Sequence, residues 1–387
     1  MTDLPETIGW FLLAVAVTGV VYQLAAAVFV SRFVDLAGDE PGLIEPSDRS
    51  AVPVTILKPL HGDEPRLREN LASFLAQDYA GVVQLICGVQ STVDPAIAVV
   101  EALQRERPTA RIELVIDATR HGSNAKVSNL INMLHESRYD VLVLSDSDIS
   151  VPPDYLQRVM AQLESRGVGA VTCLYHGRGD AGFWSRFAAM GVTWNFLPSV
   201  VVGGALGLAE PCMGSTIALR RSTLDSIGQF DAFADVLADD YAIGTAVRAQ
   251  ELAVVVPPFT IAHGCSETSF GDVVRHELRW ATTVRGINPG GYFGNGLVNP
   301  VPFAVIAAAF LRFEALALIV VGLAIVARLC VAFAADRAAR ARTGSLLLLP
   351  LRDFLSFGVF IGSFLVQSVD WRGTRLRVAR DGSIRIS

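Results

Sequence analysis

A run of 23 uncharged residues near the amino terminus, "IGWFLLAVAVTGVVYQLAAAVFV" at 8–30, constrains this chain more than any other feature. As a helix it is long enough to cross the roughly 30 Å hydrocarbon core of a bilayer. A cleaved leader would carry a basic stretch ahead of a shorter apolar run. Here "MTDLPET" is acidic, so 1–32 is read as a retained transmembrane anchor. Arg32 follows the run and no basic residue precedes it, which directs the next segment to the cytoplasm. A hydrophobic content of 51% and a mean hydropathy of +0.43 fit a chain that lives partly in lipid.

Apolar segments return at 298–366, read as C-terminal membrane helices. Residues 314–335 and 345–366 have spanning length, the first interrupted by Arg328 and the second by Arg352 and Asp353. Residues 298–311 suffice for half a span, a re-entrant piece or an interfacial helix. The tail at 367–387 is rich in arginine and is read as cytoplasmic. A cytoplasmic middle and tail require an even number of C-terminal crossings. The net charge of −6 and a pI near 5.6 give no reason to expect nucleic acid as a partner. Five scattered cysteines without a CxxC pair support neither a zinc site nor a disulfide framework.

Between 51 and 287 the pattern changes. Strand-like runs at 52–60, 83–90, 111–117 and 139–146 alternate with helical spacing at 67–77, 95–107 and 124–137. Such alternation with short links predicts a mostly parallel, Rossmann-like α/β sheet. Sites in such sheets lie at the carboxyl ends of the strands. One of those ends reads "VLVLSDSDIS" (141–150), which sets Asp146 and Asp148 one residue apart where their charges repel. A polar turn would use the same residue types. A divalent cation between the carboxylates and a phosphate would make the pair favourable.

The context of that pair carries a resemblance. The stretches "ILKPLHGDEPRLRENL", "HGSNAKVSNLIN", "VLSDSDISVPPDYL", "CMGSTIALRRSTLDSIGQF", "LADDYAIG" and "HELRWATTVR" occur in this order. Their order resembles the ceramide glucosyltransferase branch of the inverting GT-A glycosyltransferases, over nearly the whole chain. "GVGAVTCLYHGR" and "LADDYAIG" with "HELRW" are most similar to the bacterial hopanoid-biosynthesis subgroup of that branch. The resemblance implies a GT-A catalytic domain at 51–287 in a multi-pass protein of the bacterial cytoplasmic membrane, with the domain facing the cytoplasm. It implies a UDP-sugar donor, N-acetylglucosamine in the hopanoid subgroup, a lipid acceptor and Mg²⁺ or Mn²⁺. A ceramide glucosyltransferase using UDP-glucose is the alternative; a polysaccharide synthase or a non-enzymatic scaffold fits less well.

By the same resemblance, Asp148 is the metal-binding carboxylate with Asp146 beside it, and Asp240 is the catalytic base with Asp239 next to it. Arg279 and Trp280 close a (Q/R)xxRW motif in which His276 replaces Gln or Arg. The family pattern VQDxxDPA reads "VQSTVDPA" here, so Ser91 replaces the leading acid and Asp94 remains for substrate binding. Arginine fits phosphate through its fork, and a carboxylate opposite the leaving group would take the acceptor's proton. Each piece has a plainer use: an acidic pair also favours a helix start, and Arg–Trp also suits a membrane edge.

Two lysines, Lys58 and Lys126, stand against thirty arginines, which suggests that a compact ammonium is wanted at both places. Lys126 is expected near the nucleotide or the acidic turn. The apolar stretch 183–208 is either a buried helix pair or an interfacial segment admitting the lipid, with Trp184 and Trp194 at headgroup level.

Overall fold

The structure, a computed structural model, describes residues 4–39, 51–365, 369–371, 374–378 and 384–386. In chain order its elements begin with α1 (Leu4–Asp39), β1 (Val54–Pro59), α2 (Leu67–Leu75), β2 (Val83–Val89), α3 (Ala96–Glu106) and β3 (Arg111–Ile116). Then come α4 (Ala125–Leu134), β4 (Val141–Leu144), β5 (Ile149–Ser150), α5 (Tyr155–Leu163), β6 (Val168–Thr172) and β7 (Leu174–Gly179). Next are α6 (Phe183–Gly191), a π-helical turn (Val192–Phe196), α7 (Leu197–Ala205), β8 (Ile217–Arg220), α8 (Arg221–Ser226), α9 (Asp239–Ala249), β9 (Ala253–Val255) and β10 (Thr260–Cys265). The chain continues through α10 (Phe270–Ile287), α11 (Pro289–Leu297), α12 (Pro300–Phe310), α13 (Ala315–Ala339) and α14 (Leu349–Ser363). It ends in β11 (Val369–Trp371), β12 (Thr374–Val378) and β13 (Ile384–Ile386). Of the arginine-rich tail these three strands are described; its other residues lie outside the described set.

The elements divide into two compact units, the α/β one being 37–180 with 210–266. Its seven-stranded sheet has the order β3-β2-β1-β4-β8-β6-β9. The first four strands run parallel, β8 is antiparallel to both neighbours, and β9 is again parallel to β6. The expected mostly parallel sheet is therefore present, with one reversed strand, β8, inside it. The four residues of β4 are all buried, as befits a strand covered on both faces. Helix α4 starts where Asn124 Oδ1 accepts from the amides of Lys126 and Val127, and its Val127, Leu130 and Ile131 enter the core with Leu57, Leu142 and Ile243. A smaller sheet, β5-β10-β7, pairs His263 on β10 opposite Ile149 on β5.

The other unit comprises 1–36, 181–209 and 267–387. Four of its helical stretches are long and apolar enough to cross a membrane: Leu4–Asp35, Phe183–Ala205, Ala315–Ala339 and Leu346–Ser363. Helices α11 and α12 form a pair bent by 55°, the form of a broken span or re-entrant loop. The stretch read as a buried pair or an interfacial segment is thus α6, the π turn and α7, and it also has spanning length. Trp194 is fully buried there. Leu13 and Ala16 of α1 pack against Val301 and Ala304 of α12 and Val320 and Ala324 of α13.

The charges that interrupt the apolar stretches meet inside this unit. The Arg328 guanidinium donates to both Asp353 oxygens (2.8–3.1 Å), to Gln23 Oε1 (3.1 Å), to the Trp194 carbonyl (3.1 Å) and to Asn195 Oδ1 (2.8 Å). One arginine thereby ties α1, the π turn, α13 and α14 together, and the Trp194 carbonyl within the π turn finds a donor.

Candidate active site

In the α/β unit the acidic turn after β4 is held by its backbone, which leaves its side chains to do other work. Its carbonyls are taken in sequence: Asp146 O by Lys58 Nζ (2.6 Å), Ser147 O by Asn70 Nδ2 (3.1 Å) and Asp148 O by the Gly264 amide (2.8 Å). The Lys58 ammonium also donates to Ser145 Oγ at 3.1 Å and lies 3.7 Å from the centre of the Phe74 ring. Burial drives its pKa down to about 7, and Asp148 and Asp146 oppose that shift.

The carboxylates find separate partners. Asp146 Oδ1 lies 2.8 Å from Lys126 Nζ, and Asp148 Oδ2 lies 3.3 Å from His263 Nε2. The His263 ring stacks on Tyr175 with 5.1 Å between centroids. Lys126 also reaches Asp239 Oδ2 at 3.2 Å. Burial works against the Lys126 charge, but Asp146, Asp239 and Asp240 together hold it well above the usual lysine range.

The acidic pair opens helix α9, and its two members differ. Asp239 is buried, with Oδ1 accepting from Asn124 Nδ2 (3.3 Å) and Oδ2 facing Lys126. Asp240 is half-buried; Oδ1 accepts from the Tyr241 amide (2.8 Å) and Oδ2 from the Gly214 amide (2.9 Å). Burial and the neighbouring Asp239 raise the Asp240 carboxyl to about 6, while Lys126 and the two amides pull the other way. That suits a group that takes a proton near neutral pH. Gly214 leaves room for these groups: a Cβ there would stand 2.9 Å from both Asp146 Oδ2 and Lys126 Nζ and would press on them.

The remaining candidates make other contacts. Asp94 is buried and spent on backbone: its carboxylate accepts from the amides of Gly62 (3.1 Å) and Ala96 (2.9 Å), tying the loop after β1 to the start of α3. His276, Arg279 and Trp280 are on α10 of the other unit. There His276 pairs with the buried Glu267 through Nδ1 and meets the Trp280 ring edge-on at 4.7 Å. Beside His276, Glu277 is held by Arg352 of α14 at 2.6 Å.

The structure thus brings Lys126, Asp146, Asp239 and Asp240 into one cluster, with Asp148 two residues along the turn. It adds Gly214, His263, Lys58 and Asn124, none of which the motif reading assigned to the site. The scarcity of lysine was the available signal for Lys58. A lone histidine on a short strand carries none.

The chain is similar to two ceramide glucosyltransferases of Caenorhabditis elegans. Ceramide glucosyltransferase 1 is 27% identical over 208 residues, covering 54% of this chain and 44% of that protein. Ceramide glucosyltransferase 3 is 25% identical over 240 residues, covering 60% and 50%. The match thus spans about half the length of these relatives. Among solved structures, the mannosyltransferase PcManGT from Pyrobaculum calidifontis, in complex with GDP-Man and Mn²⁺, is 22% identical with a TM-score of 0.49, covering 92% of this chain and 98% of that one. The family profile described as "Glycosyl transferase family 21" matches residues 11–384. That match takes in both the acidic cluster of the α/β unit and nearly all the apolar helices, and the chain belongs to glycosyl transferase family 21.

Proposed function

We propose that the chain is a membrane-bound, inverting glycosyltransferase that moves a sugar from its UDP derivative to the hydroxyl of a lipid. The observation that carries this reading is the cluster of Asp146, Asp239 and Asp240 around Lys126 at the carboxyl end of β4. It sets a base with a raised pKa among groups suited to a charged donor. The subgroup resemblance favours N-acetylglucosamine and a hopanoid polyol. A second reading, glucose transfer to ceramide, is supported by the names of the relatives.

A divalent cation belongs to this proposal. Asp148 Oδ2 and His263 Nε2, 3.3 Å apart, form a carboxylate–imidazole pair that Mn²⁺ accepts. Among the described residues no group of three or more His, Cys, Asp or Glu could hold a metal alone. This fits an ion that takes its remaining ligands from water and a substrate diphosphate. Asp148 and His263 would hold it, with Asp146 beside them. Once bound, it would supply positive charge to the departing diphosphate.

The protein's own groups do the rest. Asp240 takes the proton from the acceptor hydroxyl as its oxygen attacks the anomeric carbon from the face opposite the leaving group. Asp239 stays fixed by Asn124 and Lys126 and tunes its neighbour. Lys126 places a permanent positive charge beside the acidic turn. Arg279 offers a guanidinium fork suited to phosphate oxygens, and Trp280 an aromatic face. The α/β unit works on the cytoplasmic side, where UDP-sugars are made.

The test is product formation. Purified full-length protein, UDP-N-acetylglucosamine or UDP-glucose, and either a hopanoid polyol or ceramide are incubated, and the lipid product is identified by mass spectrometry. Release of UDP without any glycolipid, or no turnover with either donor, would overturn the reading.

A further inference from the structure

We propose that Lys58 is a positioning residue for the divalent cation, acting through the backbone of the Asp146–Asp148 turn; this rests on the cation site proposed above. Lys58 is among the largest fully buried side chains in the protein. Its ammonium is bounded by the Asp146 carbonyl, the Ser145 hydroxyl and the Phe74 ring face. An ammonium has three donors, and this cage offers two oxygens and a π face to receive them. Among the described residues Lys58 makes no ion pair, so its charge is not cancelled by a contacting carboxylate. A buried cation so placed is costly unless it does something an apolar residue could not.

What it can do follows from the geometry. The 2.6 Å bond to the Asp146 carbonyl fixes the peptide that leads from Asp146 to Ser147, and Asn70 and Gly264 fix the next two carbonyls on the way through Asp148. Arginine would not substitute. Its planar fork is larger and carries five donors, and this cage has two oxygen acceptors. That accounts for a lysine here in a chain that uses arginine almost everywhere else.

The experiment measures UDP binding to full-length protein in detergent as a function of Mn²⁺, by calorimetry, together with thermal unfolding and kcat and KM. Lys58→Met keeps length and removes charge and donors. Groups that orient metal ligands are typically worth about 10–100-fold in metal affinity. The expected result is a rise of that order in the Mn²⁺ needed for half-maximal UDP binding. UDP binding without Mn²⁺ should not change, and excess Mn²⁺ should restore much of the turnover. A folded Lys58→Met protein with an unchanged Mn²⁺ requirement overturns the proposal. Should that variant fail to fold, Ser145→Ala removes one of the two oxygen acceptors and should raise the Mn²⁺ requirement in the same direction by a smaller factor; no rise there overturns the proposal equally. Asp148→Ala separates this inference from the reading beneath it. If Asp148→Ala leaves Mn²⁺-dependent UDP binding intact, the cation site itself is wrong. If it abolishes that binding while Lys58→Met does nothing, only the role of Lys58 falls.

Discussion

Asp240 offers the sharpest test, because its neighbours predict the direction in which its titration should move. Its carboxyl is raised to about 6 by burial and by Asp239, against the pull of Lys126. If Asp240 is the base, as proposed above, it must be ionised to act, so turnover should follow its deprotonated fraction: about half of the plateau at that pKa, and about a tenth one pH unit below it. Asp239→Asn removes a cause that raises the pKa and should shift the acid limb of kcat to lower pH. Lys126→Met removes a cause that lowers it and should shift the limb to higher pH. Asp240→Asn keeps the shape but cannot take a proton, so kcat should fall by roughly 10²–10⁴-fold and the limb should vanish. UDP-sugar affinity should change little in that variant.

The assay is initial-rate transfer to a lipid acceptor in mixed micelles, with saturating donor and cation, across the range from acid to mildly alkaline pH. Opposite shifts in the Asp239 and Lys126 variants would be hard to obtain from general damage, which lowers the plateau without moving the limb. An acid limb that survives in Asp240→Asn assigns it to another group. If Asp239→Asn abolishes turnover while Asp240→Asn is nearly normal, the base is Asp239. The same shift has a consequence for folding. A carboxyl whose folded pKa lies above its unfolded value binds more protons in the folded state between about 4 and 6, so its contribution to stability falls as pH rises through that window. In Asp240→Asn that part of the pH dependence of unfolding should disappear.

EDTA and Asp148→Ala should each remove cation-dependent UDP-sugar binding without unfolding the protein, since the side chain projects from a turn; full activity in either case would refute a metal role. Arg328→Met strands the buried Asp353 and should destabilise the apolar unit by about 3–5 kcal/mol, whereas Arg328→Met with Asp353→Leu should recover most of the loss, read by thermal unfolding in detergent. If N-acetylglucosamine is the natural sugar, kcat/KM for its UDP derivative should exceed that for UDP-glucose, because a pocket partner for the acetamido group is left unpaired by glucose; the reverse ratio would favour the glucosyl reading.

Much of the α/β unit could be read from the sequence because its signals are local. The expected strand at 83–90 is Val83–Val89 and that at 111–117 is Arg111–Ile116. Buried parallel strands are short continuous apolar runs bounded by turn residues, and helix starts such as Asn124 and Pro95 punctuate them. Strand β8 lies inside the sheet, antiparallel to β4 and β6, and nothing in "IALR" announces that place. Its partners are set by long-range pairing. The same holds for His263, which comes beside Asp148 only because β10 pairs with β5 more than a hundred residues earlier in the chain. In the apolar unit, composition revealed the helices, but the meeting of Arg328, Asp353, Gln23 and the Trp194 carbonyl depends on how four separate segments pack.

The acidic turn shows how local and long-range information combine. Two carboxylates one residue apart repel in "SDSD", and the residues alone fit a polar turn as well as a cation site. In the fold, partners are already arranged around them. Lys58 stands at the turn's backbone, Lys126 faces Asp146, and His263 faces Asp148. The two lysines divide the work by burial. Lys58, sealed in, binds carbonyl and hydroxyl oxygens and acts on the turn's shape. Lys126, at the cluster of Asp146, Asp239 and Asp240, acts on charge. A chain that otherwise uses arginine retains lysine where a point charge must fit among closely spaced oxygens, beside a glycine whose Cβ would already collide with it. On this account, Lys126→Arg should be nearly as damaging as Lys126→Met, since the larger fork has no room at Gly214. A fully active Lys126→Arg enzyme would refute the steric part of the argument and leave charge alone as the reason for lysine.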